Sequence, residues 1–337
     1  MTLISVIVPL FNEAEVLPVL HVRLSRVLTA MECGYEILFV DDGSDDGSAA
    51  LLAAIVETDK NARLLTLSRN FGHQIAITAG IEHAEGDAVV VMDADLQDPP
   101  EFISTMIEQW KAGFDVVYAV RRARDSESFG KRWSASIFYR LLRALSPLNI
   151  PVDSGDFRLM SRRVVEQLAR LPERNRFMRG LVAWVGFKQI GITYDRAPRA
   201  GGNTKYPLRE MIRLASDALF GFSRLPLQLS VAIGLFLSAA CFAYGAVAVW
   251  SRWAHDQPIP EWNSLIVAIV FVGGVQLVSL GIIGEYIGRI YEEVRQRPLY
   301  IIEKITGPGR LPPHTSPITA PIQNQAMKVP DVARTRR

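Results

Sequence analysis

Two periods of apolar residues alternate over the first 120 positions of the chain. LISVIVPL (3–10), YEILFVDD (35–42), RLLTLS (63–68), DAVVVMDAD (87–95) and FDVVYAV (114–120) are continuous apolar runs rich in β-branched residues. Runs of that kind suit strands covered on both faces. Between them, segments 13–32, 46–57, 72–84 and 100–111 carry helical spacing. This βαβα rhythm predicts an α/β fold, a doubly wound and mostly parallel sheet with helices on both faces. Sheets of that class bind ligands beyond the carboxyl ends of their strands, so chemistry is expected just after each apolar run.

Further along, the pattern changes. From Leu225 to Ser251, and again from Asn263 to Gly284, there is no charged residue. Each run exceeds the roughly 20 residues a helix needs to cross a bilayer core, and neither carries a polar stripe. Two transmembrane helices are expected, about 225–251 and 263–285, with Trp250, Trp253 and Trp262 as an aromatic belt at the facing ends. The linker between the runs holds one cation, Arg252, against Asp256 and Glu261, with His255 beside them. The outer flanks carry Arg209, Arg213 and Arg224 on one side, and Arg289, Arg295 and Arg297 on the other. The positive-inside rule then puts both flanks and both termini in the cytoplasm. No leader of the secretory type opens the sequence: the run Leu3–Leu10 is too short and lacks a basic start. The expected organisation is a cytosolic domain (1–205), a juxtamembrane amphipathic helix (206–224), a membrane hairpin (225–290), a cytosolic return segment (291–305) and a tail (306–337). That tail holds six prolines and reads as a disordered basic segment.

Composition sharpens this picture. Of 337 residues 49% are hydrophobic and 21% charged, and mean hydropathy is slightly positive. Disorder is thereby excluded over most of the chain, and the apolar excess resides largely in the two uncharged runs. A net charge of +2 argues against nucleic acid as a partner. Cys33 and Cys241 give neither a disulfide framework nor zinc spacing.

The chemistry falls where the sheet predicts it. Pro9-Leu10-Phe11-Asn12-Glu13 follows the first strand, Asp41-Asp42-Gly43-Ser44 the second, and Asp93-Ala94-Asp95-Leu96-Gln97-Asp98 the fourth. GxGxxG and GxxxxGK[ST] loops are both absent from the sequence, so a nucleotide would have to be held by carboxylates and a metal ion. Asp93 and Asp95 are two apart, so in an extended chain both carboxylates point to one side and can share a hard cation. One of Asp41 and Asp42 can cap the following helix while the other accepts hydrogen bonds from a base or ribose. His73 and His83 lie on one helix without a partner at ligand spacing, and core or surface roles are expected for them.

Taken together, PLFNE, DDGSDDGS, SRNFGHQIAITAGIEHAEGD and MDADLQDPPE resemble family 2 glycosyltransferases of GT-A (Rossmann-like) fold. Within that family the likeness is to polyprenyl-phosphate sugar transferases, the bactoprenol glucosyltransferases and dolichol-phosphate mannose synthases. It continues through Asp153–Leu159, Glu173–Gly180, Thr204–Pro207 and Gly284–Arg289. The resemblance implies that Pro9, Phe11, Glu13, Asp41 or Asp42, and Asp93 hold the nucleotide. Asp93 and Asp95, with Gln97 nearby, would bind Mg²⁺ or Mn²⁺. Asp156 stands at the position assigned as catalytic base, and Asp95 shares the catalytic role. Phe11 replaces a Tyr frequent among relatives, which removes a hydroxyl. The implied reaction is inverting, non-processive transfer of one sugar from a nucleoside-diphosphate sugar, with UDP-glucose foremost, to undecaprenyl phosphate. GDP-mannose or a UDP-aminosugar as donor, and a non-catalytic anchored nucleotide-sugar-binding protein, are the alternatives.

An anionic acceptor calls for cations. Arg121, Arg122, Arg124 and Lys131, with Arg174, Arg176 and Lys205, are the candidates for its phosphate, Arg being able to grip it bidentately. Trp133, Ile137, Phe138, Leu141, Leu142 and Leu145 recur at helical spacing among cations, as an interfacial helix over 131–145 would. Ser230, Gly234 and Ser238, like Gly284 and Gly288, form small-residue ridges suited to close packing of helices, in the hairpin or in a homo-oligomer.

Overall fold

The computed structural model describes residues 2–121, 154–174, 176–195, 225–255 and 262–308. The first half runs β1 (Leu3–Leu10), α1 (Leu17–Thr29), β2 (Gly34–Asp41), α2 (Ser48–Thr58), β3 (Ala62–Leu67), α3 (His73–His83), β4 (Ala88–Val91), α4 (Phe102–Lys111) and β5 (Val116–Arg121). Then come β6 (Ser154–Ser161), α5 (Arg162–Arg170), α6 (Met178–Val185), β7 (Gln189–Tyr194), α7 (Leu225–His255), α8 (Trp262–Val294) and β8 (Ile302–Thr306). The strands form one sheet in the order β7-β5-β6-β4-β1-β2-β3-β8. Its left-to-right middle, β4-β1-β2-β3, is parallel throughout, as the apolar runs predict. β6 is antiparallel to both β4 and β5, so the sheet is mixed.

Alternation along each strand builds two cores. Ile4, Val6, Val8, Ile37, Phe39 and Val90 point to the face covered by Leu20 and Leu24 of α1, Leu52 of α2 and Met106 of α4. Ile7, Leu38, Val40, Val89 and Val91 point to the other, covered by Ile77 of α3, Val164 and Leu168 of α5, and Leu181 of α6. Continuous apolar runs therefore mean two buried faces, not one. α3 lies so close to β1 that a Cβ on Gly80 would come within 2.3 Å of Ile7 Cγ2; glycine sets that spacing.

Three strands, β6, β7 and β8, fall outside the sequence expectation; β7 pairs parallel with β5. β6 begins within the Asp-Ser-Gly-Asp motif, and β8 lies in the segment expected only to return from the membrane. β8 pairs antiparallel with the edge strand β3, and its last residue, Thr306, stands opposite Leu64, inside the region expected as tail. α7 and α8 have 31 and 33 residues, with membrane-length apolar stretches at Leu227–Val247 and Phe271–Val294. Leu235, Phe236, Phe242 and Leu277 are exposed on them, which is tolerable only in an apolar medium. Gly234 and Ser238 line an apolar groove between the two helices, facing Val272, Val275 and Ile283. At about 50 Å, α8 is longer than a bilayer core, and its last turn reaches the α/β domain. There Glu293 accepts the Arg174 backbone N–H at 2.8 Å. Beyond it, the Tyr300 hydroxyl donates to Glu82 at 2.6 Å and Ser68 N–H donates to the Ile301 carbonyl at 2.9 Å.

Asp115, at the foot of β5, ties three elements together. Its carboxylate accepts two hydrogen bonds from the Arg163 guanidinium, one from Ser161 Oγ at 3.0 Å and one from Lys188 N–H at 3.4 Å. The Arg163 bonds, against the cost of burial and helped by Ser161 and Lys188, hold Asp115 below the usual carboxylate range. A depressed folded-state value means stability that is complete above the unfolded value near ~3.9 and lost as pH falls through the folded one. Asp115→Asn is therefore expected to lower unfolding free energy by about 1 kcal/mol at pH 7, Arg163 being solvent-screened. Denaturant titrations at pH 7 and pH 3 check this: the deficit should shrink at pH 3, and a constant deficit would contradict it.

Candidate active site

The site is assembled at the carboxyl ends of β1, β2 and β4 and at the amino end of the antiparallel β6. The loops after β1 and β2 are laced together. Asn12, in the left-handed region at φ 56°, donates from its backbone to Ser44 Oγ at 2.9 Å and from Nδ2 to Asp45 at 2.7 Å. Asp45 N–H donates back to Asn12 Oδ1 at 2.9 Å. Glu13 and Ala14 N–H groups donate to Ser48 Oγ and Asp46. Pro9 is buried at the end of β1, while Phe11 stands 37% exposed at the rim. Gly43 has φ 73°, and a Cβ there would sit 2.5 Å from the Arg69 backbone; the turn after β2 closes onto the loop after β3 because this residue is glycine.

The structure separates the two aspartates of the β2 loop. Both oxygens of Asp42 are taken by backbone donors, Phe71 N–H at 2.7 Å and Gly72 N–H at 2.9 Å, so it anchors the entry to α3. Asp41 Oδ1 accepts Ser44 N–H at 3.2 Å, while Oδ2 is buried with no hydrogen-bond partner. Burial pushes Asp41 above the usual carboxylate range, against the pull of Ser44. Asp41 is thus the member of the pair with an acceptor to offer a ligand.

After β4 the chain carries Asp93 and Asp95. Asp95 Oδ1 accepts Gln97 N–H at 3.1 Å, and Leu96 between them adopts φ 57°. Asp93 Oδ1 is buried without a hydrogen bond, the nearest charge being His73 Nε2 at 3.4 Å. Burial raises the Asp93 carboxyl; the His73 ring opposes this, and Asp156 and Asp95 add to it. Asp98 is fully buried and accepts the Tyr194 hydroxyl, which fixes the loop from beneath.

Asp156, on β6, is crowded with donors. Gln74 Nε2 donates to Oδ2 at 3.0 Å and Arg179 Nε to Oδ1 at 3.1 Å. His73 Nε2 lies 3.4 Å from Oδ2, and Arg158 Nη2 is 3.9 Å from Oδ1. Burial opposes ionisation, yet Arg179, His73 and Arg158 together hold Asp156 well below the usual range. For His73, burial disfavours the charged ring, but Asp156 and Asp93 outweigh it and push the ring up to about 9. His73, for which a core or surface role is expected from sequence, is instead the cation between the two site carboxylates. Gln74 and Arg158 were also not foreseen. The signal available was position: Gly72-His73-Gln74 follows the short loop after the third apolar run, where a strand end places it at the crevice.

The acceptor cations separate as well. Arg121 closes β5 with its guanidinium against Gly155, where a Cβ would approach Nη2 to 3.0 Å. Arg176, a candidate phosphate ligand from sequence, is 7% exposed and donates to the carbonyls of Leu168, Leu171 and Glu173. It staples the α5–α6 loop; three residues on, Arg179 takes the place in the site. Arg174 sits against the end of α8. Arg122, Arg124, Lys131, Lys205, the helices over 131–145 and 206–224, and the tail after 308 lie outside the described residues.

A mixed Rossmann-like sheet with a paired-aspartate loop after β4, facing a carboxylate on an antiparallel β6, defines a GT-A glycosyltransferase, and the chain belongs to glycosyl transferase family 2. The model of that family matches residues 5–169, and a second, the GtrB C-terminal hairpin, matches residues 225–290. The protein is a membrane-associated glycosyltransferase. It is 48% identical over 303 residues to the uncharacterised glycosyltransferase YkcC of Bacillus subtilis (strain 168), covering 90% of this chain and 94% of that protein. It is 43% identical over 301 residues to the SfII prophage-derived bactoprenol glucosyl transferase of Shigella flexneri, covering 89% and 97%. Among solved structures it is similar to glucosyl-3-phosphoglycerate synthase from Mycobacterium tuberculosis in complex with Mn²⁺ and UDP-glucose. That match has 20% identity and a TM-score of 0.44, covering 65% of this chain and 77% of that one.

Proposed function

We propose that this enzyme transfers a single sugar, glucose from UDP-glucose, with inversion, to undecaprenyl phosphate at the cytoplasmic face of the inner membrane. The observation that carries the reading is the placement of Asp93 and Asp95 between two half-sites. On one side lies Asp41 with its unpartnered oxygen; on the other, Asp156 with Arg179, in a domain tied to a membrane hairpin. The names of the bactoprenol relatives supply the acceptor and the sugar.

Asp41 would accept from the base, beside Pro9, Phe11 and Glu13 on the β1 loop. The donor set after β4 fits Mg²⁺ or Mn²⁺: a buried carboxylate oxygen on Asp93 without a hydrogen bond, and Asp95 two residues on, Gln97 adjoining. Among the described residues no third acidic, His or Cys side chain completes a protein cage. Such sparse ligation suits an ion that takes its remaining ligands from substrate phosphates. When bound, the ion would neutralise charge gathering on the leaving diphosphate.

The acceptor is a phosphate whose second pKa is about 6, so it is already an anion at neutral pH and needs little deprotonation. Asp156, held ionised by its donors, serves in this reading to orient Arg179 around the acceptor rather than to take a proton. Attack by an acceptor phosphate oxygen on the anomeric carbon, from the face opposite the diphosphate, breaks the sugar–diphosphate bond, releases UDP and gives inversion. Arg121, and Arg179 beside Asp156, are the cations placed to hold the phosphate. Topology supports the orientation: β8 follows α8 and pairs with β3, so the segment after the hairpin lies on the same side of the membrane as the α/β domain.

Uridine preference is tested by thermal shift of the full chain in detergent with Mn²⁺. UDP should raise the melting temperature and GDP should not, because only a ligand of the folded state stabilises it. Equal shifts would defeat the preference.

A further inference from the structure

We propose that Gln74 is a positioning residue for the acceptor half of the site, its side-chain amide locking Asp156 and the first turn of α6 into the arrangement that presents Arg179. The inference rests on the reading of the β6 side as the acceptor half.

Gln74 is the second residue of α3, just after a left-handed turn at Gly72 (φ 104°) that Asp42 pins through two backbone hydrogen bonds. Its backbone is therefore fixed before its side chain is considered. The amide then bridges two elements that share no strand pairing with α3. Nε2 donates to Asp156 Oδ2 at 3.0 Å, and Oε1 accepts the backbone N–H of Met178, the first residue of α6, at 3.0 Å. Reversing the amide would set an oxygen against a carboxylate and an NH₂ against an N–H, so both partners enforce one orientation. The next residue, Arg179, returns to the same carboxylate, Nε to Asp156 Oδ1 at 3.1 Å. Gln74, Met178, Arg179 and Asp156 thus form a closed ring of contacts. Oδ1 of Asp156 is held from α6, Oδ2 from α3 at 3.0 Å and more weakly from α6 through Arg179 Nη2 at 3.5 Å, and the α6 N-terminus is held by an acceptor rather than by water.

The ring lies on the β6 side of β4, whereas the Asn12, Ser44 and Asp45 lacing lies on the β1–β2 side. No hydrogen bond runs from the Gln74 side chain to the latter among the described residues. Loss of the amide should consequently loosen Asp156 and Arg179 while leaving the nucleotide loops laced. The expected signature is selective: a higher KM for the acceptor, with the donor KM unchanged.

The test uses the full chain in detergent with Mn²⁺, UDP-glucose and farnesyl phosphate as a soluble lipid phosphate. Gln74→Met keeps the length and removes both hydrogen bonds. Gln74→Glu keeps the acceptor for Met178 but faces Asp156 with an oxygen, so it isolates the Asp156 contact even if Gln74→Met folds poorly. Both are expected to raise the farnesyl phosphate KM about tenfold, the scale of one charge-assisted hydrogen bond, and to shift the UDP-glucose KM less than twofold. Unchanged acceptor KM in both variants, or equal increases for both substrates, would overturn the inference. Asp156→Asn distinguishes its failure from failure of the underlying reading. If Asp156→Asn raises the acceptor KM and the Gln74 variants do not, only the inference falls; if Asp156→Asn raises the donor KM instead, the division into halves falls with it.

Discussion

Asp93→Asn is expected to cut turnover about 10³-fold while raising the melting temperature of the metal-free protein. The two effects share one cause. Asp93 is a carboxylate disfavoured by burial and repelled by Asp156 and Asp95, only partly offset by His73. A raised folded-state value means that ionised Asp93 costs stability at neutral pH, so a neutral amide of the same shape relieves the fold. In the proposed reaction the charge serves to hold a metal ion beside the leaving diphosphate, a conflict between stability and activity of the kind common at active sites. Parallel melts with EDTA and with Mn²⁺, alongside a UDP-release assay, check both halves. Mn²⁺ should stabilise the native protein and leave Asp93→Asn nearly unmoved. Retained turnover, or equal Mn²⁺ stabilisation of the two proteins, would count against the assignment.

Phe157→Ala should lower unfolding free energy by about 4 kcal/mol, the scale of emptying a fully buried aromatic site. Phe157 is wholly buried between the two polar neighbours Asp156 and Arg158 on β6. Its ring meets Phe102 of α4 at 6.0 Å and Tyr194 of β7 at 6.1 Å, and those two lie 5.4 Å apart. Offset and edge contacts of this kind add to plain burial. Tyr194 in turn donates to Asp98, so the cavity would also loosen the loop carrying Asp93 and Asp95. Phe157→Leu refills most of the space and should cost far less. Denaturant midpoints for the two variants decide the matter; a Phe157→Ala loss below 1 kcal/mol would mean that the ring does not hold β6 to β7 and α4.

What the sequence made legible follows from the range of the interactions involved. The parallel strands were readable because burial on both faces leaves continuous apolar runs, and Asp93 and Asp95 because they stand two residues apart just after one of those runs; the strand itself ends at Val91, so the pair sits in the following loop and not on extended strand. β8 was not: Ile302, Ile305 and Thr306 alternate too briefly with Glu303 and Lys304 to mark a strand, and only the unpaired edge of β3 gives it a partner. The ring around Asp156 draws residues 74, 178 and 179 from two further elements, a juxtaposition that exists only after the sheet is wound. The same holds for choosing among arginines. Arg176 and Arg179 differ by three positions, yet one is spent on loop carbonyls and the other reaches the site carboxylate. The choice between Asp41 and Asp42 was likewise set by the loop after β3, whose two N–H groups consume Asp42.

The most direct measurement is product analysis of the full chain in vesicles containing undecaprenyl phosphate, supplied with Mn²⁺ and radiolabelled UDP-glucose. The account predicts one lipid-linked glucose per UDP released, with inverted anomeric configuration and no longer glycan, and loss of both products in Asp95→Asn. UDP release without a lipid-linked sugar, or no release from any nucleotide sugar in the presence of lipid phosphate, would contradict it.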